Sequence, residues 1–222
     1  MPNRRLFSIP MAIHVVWPSI LLLVFTGSVQ GQTSPARFAF VVASGFVCDS
    51  RDSGNCPAVA KSENGDTYEI GGAGAFDQQN KSVKGAGTFT HKTANGTVLE
   101  TGVWLASELI SFDSYGVAPN AFRQRGPAFN PPQMGKKSPS ISKGALPTGG
   151  LAIFRVLLIT LSGTTKSGFL QVNCALGDVP QEHSTDGIRL SLEQAQSDYS
   201  EEVTGRAVFV VMKPESRAIT KP

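Results

Sequence analysis

From residue 37 onward the chain is cut by Gly, Asn and Asp into short runs rich in Val, Ile, Phe and Thr. No long window carries the 3.6-residue apolar period of a helix. That punctuation points to an antiparallel β protein and argues against a helical bundle or coiled coil. The runs predict strands at 37–47, 57–62, 67–76, 83–92, 97–112, 151–162, 167–176, 187–192 and 204–212. Residues 193–202 have the composition of one or two helical turns. Pairing between sequence neighbours predicts an all-β fold, an antiparallel meander of eight or nine strands closed into a barrel, with a β-sandwich as the alternative. The 23 glycines and 14 prolines among 222 residues suit so many turns.

The first residues read differently. Arg4 and Arg5 precede an apolar stretch densest at Ile20–Phe25, and Val29-Gln30-Gly31 offers small or apolar side chains before a cleavage point. This order predicts a signal peptide over 1–31, cut between Gly31 and Gln32, and one domain over 32–222. An uncleaved anchor is the rival, but Pro10, His14 and Pro18 interrupt the apolar run. The expected location is therefore secreted or periplasmic, in a bacterium, with no stable membrane insertion after cleavage. Of 20 Lys and Arg, two lie in the signal, which leaves 18 against 17 Asp and Glu, or +1. A nucleic-acid binder needs a concentrated basic footprint, so nucleic acid is not an expected partner.

Cysteine usage fits export. Cys48 and Cys56 flank a polar heptapeptide and are expected to form a disulfide that staples a loop. Asp49, Asp52 and Asn55 in that loop do not follow calcium-loop spacing. Cys174 shares parity with Leu170 and Val172 and reads as a small buried hydrophobe. No metal site and no cofactor is implied.

Asn64-Gly65 and Asn95-Gly96 favour two-residue type I′ hairpin turns. The second turn would pair His91 with Glu100, Phe89 with Gly102, Gly87 with Trp104 and Lys92 with Leu99. The first would pair Val59 with Ile70 and Lys61 with Tyr68. Two runs are apolar on both faces, Phe38–Ala43 and Leu151–Ile159, and such strands need cover on both sides. Arg155 shares parity with Leu151, Ile153, Leu157 and Ile159. A buried Arg needs a carboxylate, and Glu100, Glu108 and Asp113 are the candidates.

The segment Tyr68-Glu-Ile-Gly-Gly-Ala-Gly-Ala-Phe76, with its echo Gly85-Ala-Gly-Thr-Phe89, resembles the glycine-rich segment of the dirigent and allene oxide cyclase barrels. The resemblance implies an antiparallel barrel with an apolar ligand cavity, acting on small phenolic or oxylipin compounds. It carries over no catalytic residue. Gly71–Gly74 is no phosphate cradle, because no helix or P-loop Lys follows.

Two constellations carry chemistry. His91 and Glu100, about 5 Å apart across the hairpin, form a candidate catalytic acid/base pair, the carboxylate raising the imidazole pKa and fixing its tautomer. The competing reading is a solvated surface pair near a turn. Phe89, Trp104, Tyr115 and Arg155 are candidate ligand-binding residues, with core packing as the competing role for the aromatics. No nucleophile elbow or zinc-protease motif occurs, and His183 reads as a surface residue. A long loop over 113–150 carries Arg123, Arg125, Lys136, Lys137 and Lys143 against Asp113; disorder is its expected state, with docking on the acidic stretch 176–202 as the alternative. The sequence-based reading is an exported, non-enzymatic module binding a small hydrophobic compound. Its alternatives are a barrel isomerase or cyclase using His91 and Glu100, and a structural envelope protein without a ligand. Oligomeric state is left open.

Overall fold

The computed structural model describes residues 37–48, 56–119, 146–193 and 198–212. The expected signal, the basic centre of the 113–150 loop and part of 193–202 lie outside the described residues. The described chain is all-β and antiparallel, with short 3-10 turns and no α-helix among the described residues. Its strands are β1 (Arg37–Val42), β2 (Ala58–Lys61), β3 (Thr67–Asp77), β4 (Ser82–Lys92) and β5 (Val98–Val117), then β6 (Leu146–Thr160), β7 (Thr165–Cys174), β8 (Gly187–Leu192), β9 (Glu201–Thr204) and β10 (Ala207–Met212). The ends of the expected 113–150 loop are strand, because Asp113–Val117 pair with Thr148–Leu151. Composition favours helical turns up to residue 202, yet Glu201–Thr204 form an edge strand on β2.

Strands β2 to β8 follow the expected meander, each pairing with its sequence neighbour. Strands β1 and β10 depart from it. They pair with each other, β1 also with β3 and β10 also with β6. The pairings β1–β3–β4–β5–β6–β10 therefore run in a closed circuit. Two long strands change partner along one edge. β3 pairs with β2 over Thr67–Ile70 and with β1 over Gly72–Asp77. β6 pairs with β10 over Leu146–Thr148 and with β7 over Gly150–Ile159. A glycine sits at each changeover. A Cβ on Gly71 would stand 2.8 Å from the Ala43 carbonyl, and one on Gly149 would collide with the Leu176 carbonyl. The departing partner crosses the strand there, and only a residue without a side chain lets backbone pass so close.

The hairpin turns differ from expectation. Ser62-Glu-Asn-Gly-Asp66, Thr93-Ala-Asn-Gly-Thr97 and Thr160-Leu-Ser-Gly-Thr164 share one geometry. In each, the first N–H donates to the fifth carbonyl, the glycine N–H donates to the first carbonyl, and the glycine alone has positive φ. These are three-residue loops of the bulge type rather than two-residue type I′ turns. The reason is local. The Asn64 and Asn95 side-chain oxygens accept the N–H two residues on, and the leading Ser or Thr hydroxyl donates to the fifth carbonyl. The first hairpin consequently slips by one, giving Ala58 opposite Ile70 and Lys61 opposite Thr67. In the second, Lys92 faces Val98, and a bulge then restores His91 to Glu100, Phe89 to Gly102 and Gly87 to Trp104.

Alternation sends one face of most strands inward. Phe38, Phe40, Phe76, Phe112, Phe154 and Phe209 make an aromatic core toward one end, with Phe40 stacked on Phe154 at 4.8 Å. Both expected two-sided runs occur. The outer Ala39 and Val41 of β1 and Val208 and Val210 of β10 pack against Val47, Cys48 and Leu176, so this pair of strands is covered outside as well as in.

Candidate functional site

The glycines of β3 and β4 make space that side chains then occupy. Trp104 is fully buried, and its Nε1–H donates to the Gly71 carbonyl at 3.1 Å. A Cβ on Gly72 would lie 2.5 Å from the Trp104 ring, one on Gly74 or Gly85 2.7 Å from Phe40, and one on Gly102 2.8 Å from Phe89. The pairing of ring against glycine expected from register is thus a packing device. The rings themselves take the space the glycines leave.

Beyond this layer lies a polar cluster. Strand β4 supplies His91, β5 Glu100, β7 Lys166, β3 Tyr68, and the segment after β8 supplies Tyr199. The His91 ring is stacked on Tyr68 at 4.4 Å and 10°. Its Nδ1 lies 3.4 Å from Glu100 Oε1 and its Nε2 3.1 Å from the Tyr199 hydroxyl. A carboxylate can only accept, so the proton belongs on Nδ1, and Nε2 accepts from Tyr199. Glu100 also pairs with Lys166. His91 is 8% exposed, which rules out the solvated surface pair.

Its pKa moves opposite to the expected direction. Burial lowers it, and this outweighs the hydrogen bond and charge of Glu100 that act to raise it. Burial works to raise the Glu100 pKa, but Lys166 and His91 together hold it below the usual carboxylate value. Burial, aided by the nearby carboxylates, pushes the Tyr199 phenol up to about 12 and that of Tyr68 higher still. A neutral imidazole held between a carboxylate and a phenol locks geometry. Phenols made harder to ionise are poor proton donors. The Tyr68 hydroxyl is buried without a hydrogen-bond partner among the described residues.

The other candidates lie apart. Tyr115 sits toward the opposite end of β5, donating to Asn173 Oδ1 at 3.0 Å, while Asn173 Nδ2 donates to the carbonyls of His183 and Thr185. That network ties down residues 175–186. Arg155 is on the outer face of β6, its side chain 40% exposed, so the expected burial does not occur. The inward residues of β6 are Ala152, Phe154, Val156 and Leu158, and Arg155 has the opposite parity. It pairs with Glu108 and Glu193 and lies over the Phe169 ring at 4.7 Å. Cys48 and Cys56 form the expected disulfide. Cys174 is buried.

An open groove of about 600 Å³ lies where β3 exchanges β2 for β1. Its floor is the glycine backbone at Gly71, Gly72 and Gly87. Ala43, Cys56, Pro57 and Phe89 give it apolar surface, and Ser44, Glu69, Thr88 and Thr90 a polar rim. Glu69 is held by Lys92, and the Ser44 hydroxyl donates to the Gly72 carbonyl at 2.8 Å. Of the residues anticipated from sequence, Phe89 lines this groove and Trp104 lies directly beneath it. Ser44, Glu69, Thr88 and Thr90 went unrecognised because the feature that assembles them is a change of strand partner. Lys166 and Tyr199 were likewise missed, since Lys166 reaches Glu100 from 66 residues away and Tyr199 reaches His91 from 108.

Comparison with protein-family models, curated proteins and solved structures finds no match to this chain.

Proposed function

We propose that this chain is an exported, non-enzymatic β-barrel module that binds a small, flat, largely apolar compound. The ligand lies in the external groove over Gly71, Gly72 and Gly87. The observation that carries this reading is the groove itself: its volume is in the range of small-molecule sites, it is largely apolar, and a few polar groups converge at its rim. The closed circuit of strand pairs supports the barrel, and the Cys48–Cys56 disulfide suits an oxidising compartment. The glycine-made space inside is filled by Trp104, Phe40 and Phe89, which turns the reading from an internal cavity to the surface. Within the groove, Pro57 and the disulfide wall meet the apolar body, while Thr90 or Glu69 meets a polar end. Catalysis by His91 and Glu100 has less support, because both are engaged inside and the adjoining phenols are raised in pKa.

Trp104 is a reporter for this site. With residues 1–31 removed it is the one tryptophan of the sequence. Titration with 1-naphthol should quench its emission saturably, and Thr90→Arg, which lays a long side chain across the groove toward Glu69, should weaken binding at least about tenfold. An unsaturable response, or one that Thr90→Arg leaves unchanged, would sink the groove and favour a structural protein without a ligand.

A further inference from the structure

We infer that the polar end of the groove's ligand is a cation, an ammonium or amidinium on the flat apolar body, and that the Glu69 carboxylate receives it. The inference deepens the groove reading and rests on it. Among the described residues that line the groove, Glu69 is the only charged side chain. It has the outward parity of β3, beside Thr90 of β4 and two residues from Gly71. Its Oε1 accepts from Lys92, which does not line the groove and lies one outward position beyond Thr90, away from Gly87. That leaves Oε2 to accept from a ligand.

Other polar groups of the groove also accept. Ala43 has a φ of 36°, in the left-handed region that a residue with a Cβ rarely enters. Its carbonyl lies over Gly71, 2.8 Å from where a Cβ would stand. Backbone strain of this kind clusters at ligand sites. The Ser44 hydroxyl has its proton on the Gly72 carbonyl, so toward the groove it offers lone pairs. Among the described lining side chains, only Thr88 and Thr90 have hydroxyl protons to give.

This inventory selects the sign of the charge. An ammonium or amidinium only donates, and its hydrogen bond to a carboxylate is charge-assisted. A carboxylate or phosphate in the same place would set its lone pairs against Glu69 and the Ala43 carbonyl. No lysine or arginine stands among the described lining residues to offset that repulsion. Overall charge does not produce the preference. From residue 32 onward 18 Lys and Arg face 17 Asp and Glu, a balance of +1 that by itself favours anions slightly.

The test uses chain purified from an exporting host with its disulfide intact, and calorimetric titration at pH 7. The probes are 1-naphthylmethylammonium and 1-naphthoate, which carry opposite charges on a one-carbon stem of the same ring, with 1-naphthol as the neutral reference. The ammonium should bind at least about tenfold tighter than naphthoate. Glu69→Gln should bring the two within about threefold of each other, and Lys92→Gln, which removes the competing cation, should tighten the ammonium by about threefold. The two side chains are 25% and 28% exposed, so neither substitution leaves a fully buried group unpaired. Saturable binding of 1-naphthol without a preference for the ammonium overturns this inference and leaves the groove reading standing. A preference that survives Glu69→Gln does the same, as does an ammonium that binds more weakly to Lys92→Gln. Tighter binding of naphthoate overturns it in favour of an anionic ligand. No saturable binding of any of the three removes the groove reading and this inference together.

Discussion

Two pairs of strands in this protein carry apolar side chains on both faces, and they meet different ends. Outside β1 and β10, the side chains of Ala39, Val41, Val208 and Val210 are roofed by Val47, Cys48 and Leu176. Outside β5 and β6, Val103, Leu105 and Leu161 stand open. The difference lies in the connection that leaves each strand. Residues 45–48 leave the end of β1, turn back at once through a 3-10 turn, and are anchored by the disulfide to Cys56. That roof is local and costs little loop closure. No such short segment departs from the Val103 end of β5 or the Ile159 end of β6, where the connections are tight turns. A two-sided apolar strand demands cover, but the pattern leaves open whether its own chain supplies it.

Substitution by a carboxylate tests this contrast most severely. Val208 is 3% exposed beneath the roof, and Val208→Asp should cost about 3 kcal/mol or more by burying an unpaired charge. Val103→Asp on the open face should change monomer stability by no more than about 0.5 kcal/mol. Urea unfolding measures both, and equal losses would break the comparison. The next largest effect belongs to the staple. Replacing Cys48 and Cys56 by Ser should lower stability by about 2–3 kcal/mol in the chain-entropy account. Hydrogen exchange should show the loss first in β1 and β10, with β5 and β6 holding their protection; uniform loss would mean that the disulfide does more than hold a roof. Val47→Ala removes two buried methyl groups from that roof and should cost about 1.5 kcal/mol by thermal or urea melts.

Acidification acts on neither face and gives the mildest response. His91 has a folded pKa below its ordinary 6.5, so the unfolded chain binds the proton more readily. The associated stability is complete above pH 6.5 and falls as pH drops below it. Glu100 is also lowered, from 4.5, and adds a further loss below that value. The slope between pH 6.5 and 4.5 should flatten in His91→Gln and persist in the chain lacking the disulfide. A slope that vanished with the disulfide would tie the polar cluster to the roof.

Much of this was legible in local pattern. The apolar runs Phe38–Val42 and Ala152–Leu158 marked the strands though not their inward faces, and the spacing of Cys48 and Cys56 anticipated the disulfide. The His91–Glu100 pairing emerged correctly from an incorrect turn, because a loop one residue longer was compensated by a bulge one pair away. The first hairpin has no such bulge, and its register slipped. Parity placed Arg155 with Leu157 and Ile159, but parity does not say which side is inside, and there both sides are apolar. The His91 pKa failed for a related reason: a neighbouring carboxylate can be read from register, whereas depth of burial cannot.

By itself the sequence determined an antiparallel all-β chain, its meander from β2 to β8, the stapled loop and the pairing of large rings with glycines, all of which rest on contacts close in sequence or on a period of two. Tertiary structure alone decided that β1 and β10 insert between β3 and β6 and that Lys166 and Tyr199 enclose the His91 pair. It also decided that Gly71 and Gly149 serve as crossing points and that one apolar face is roofed while another is open. Each of those outcomes joins residues far apart in the chain, where the identity of a residue says what it can bury but not what will come to bury it.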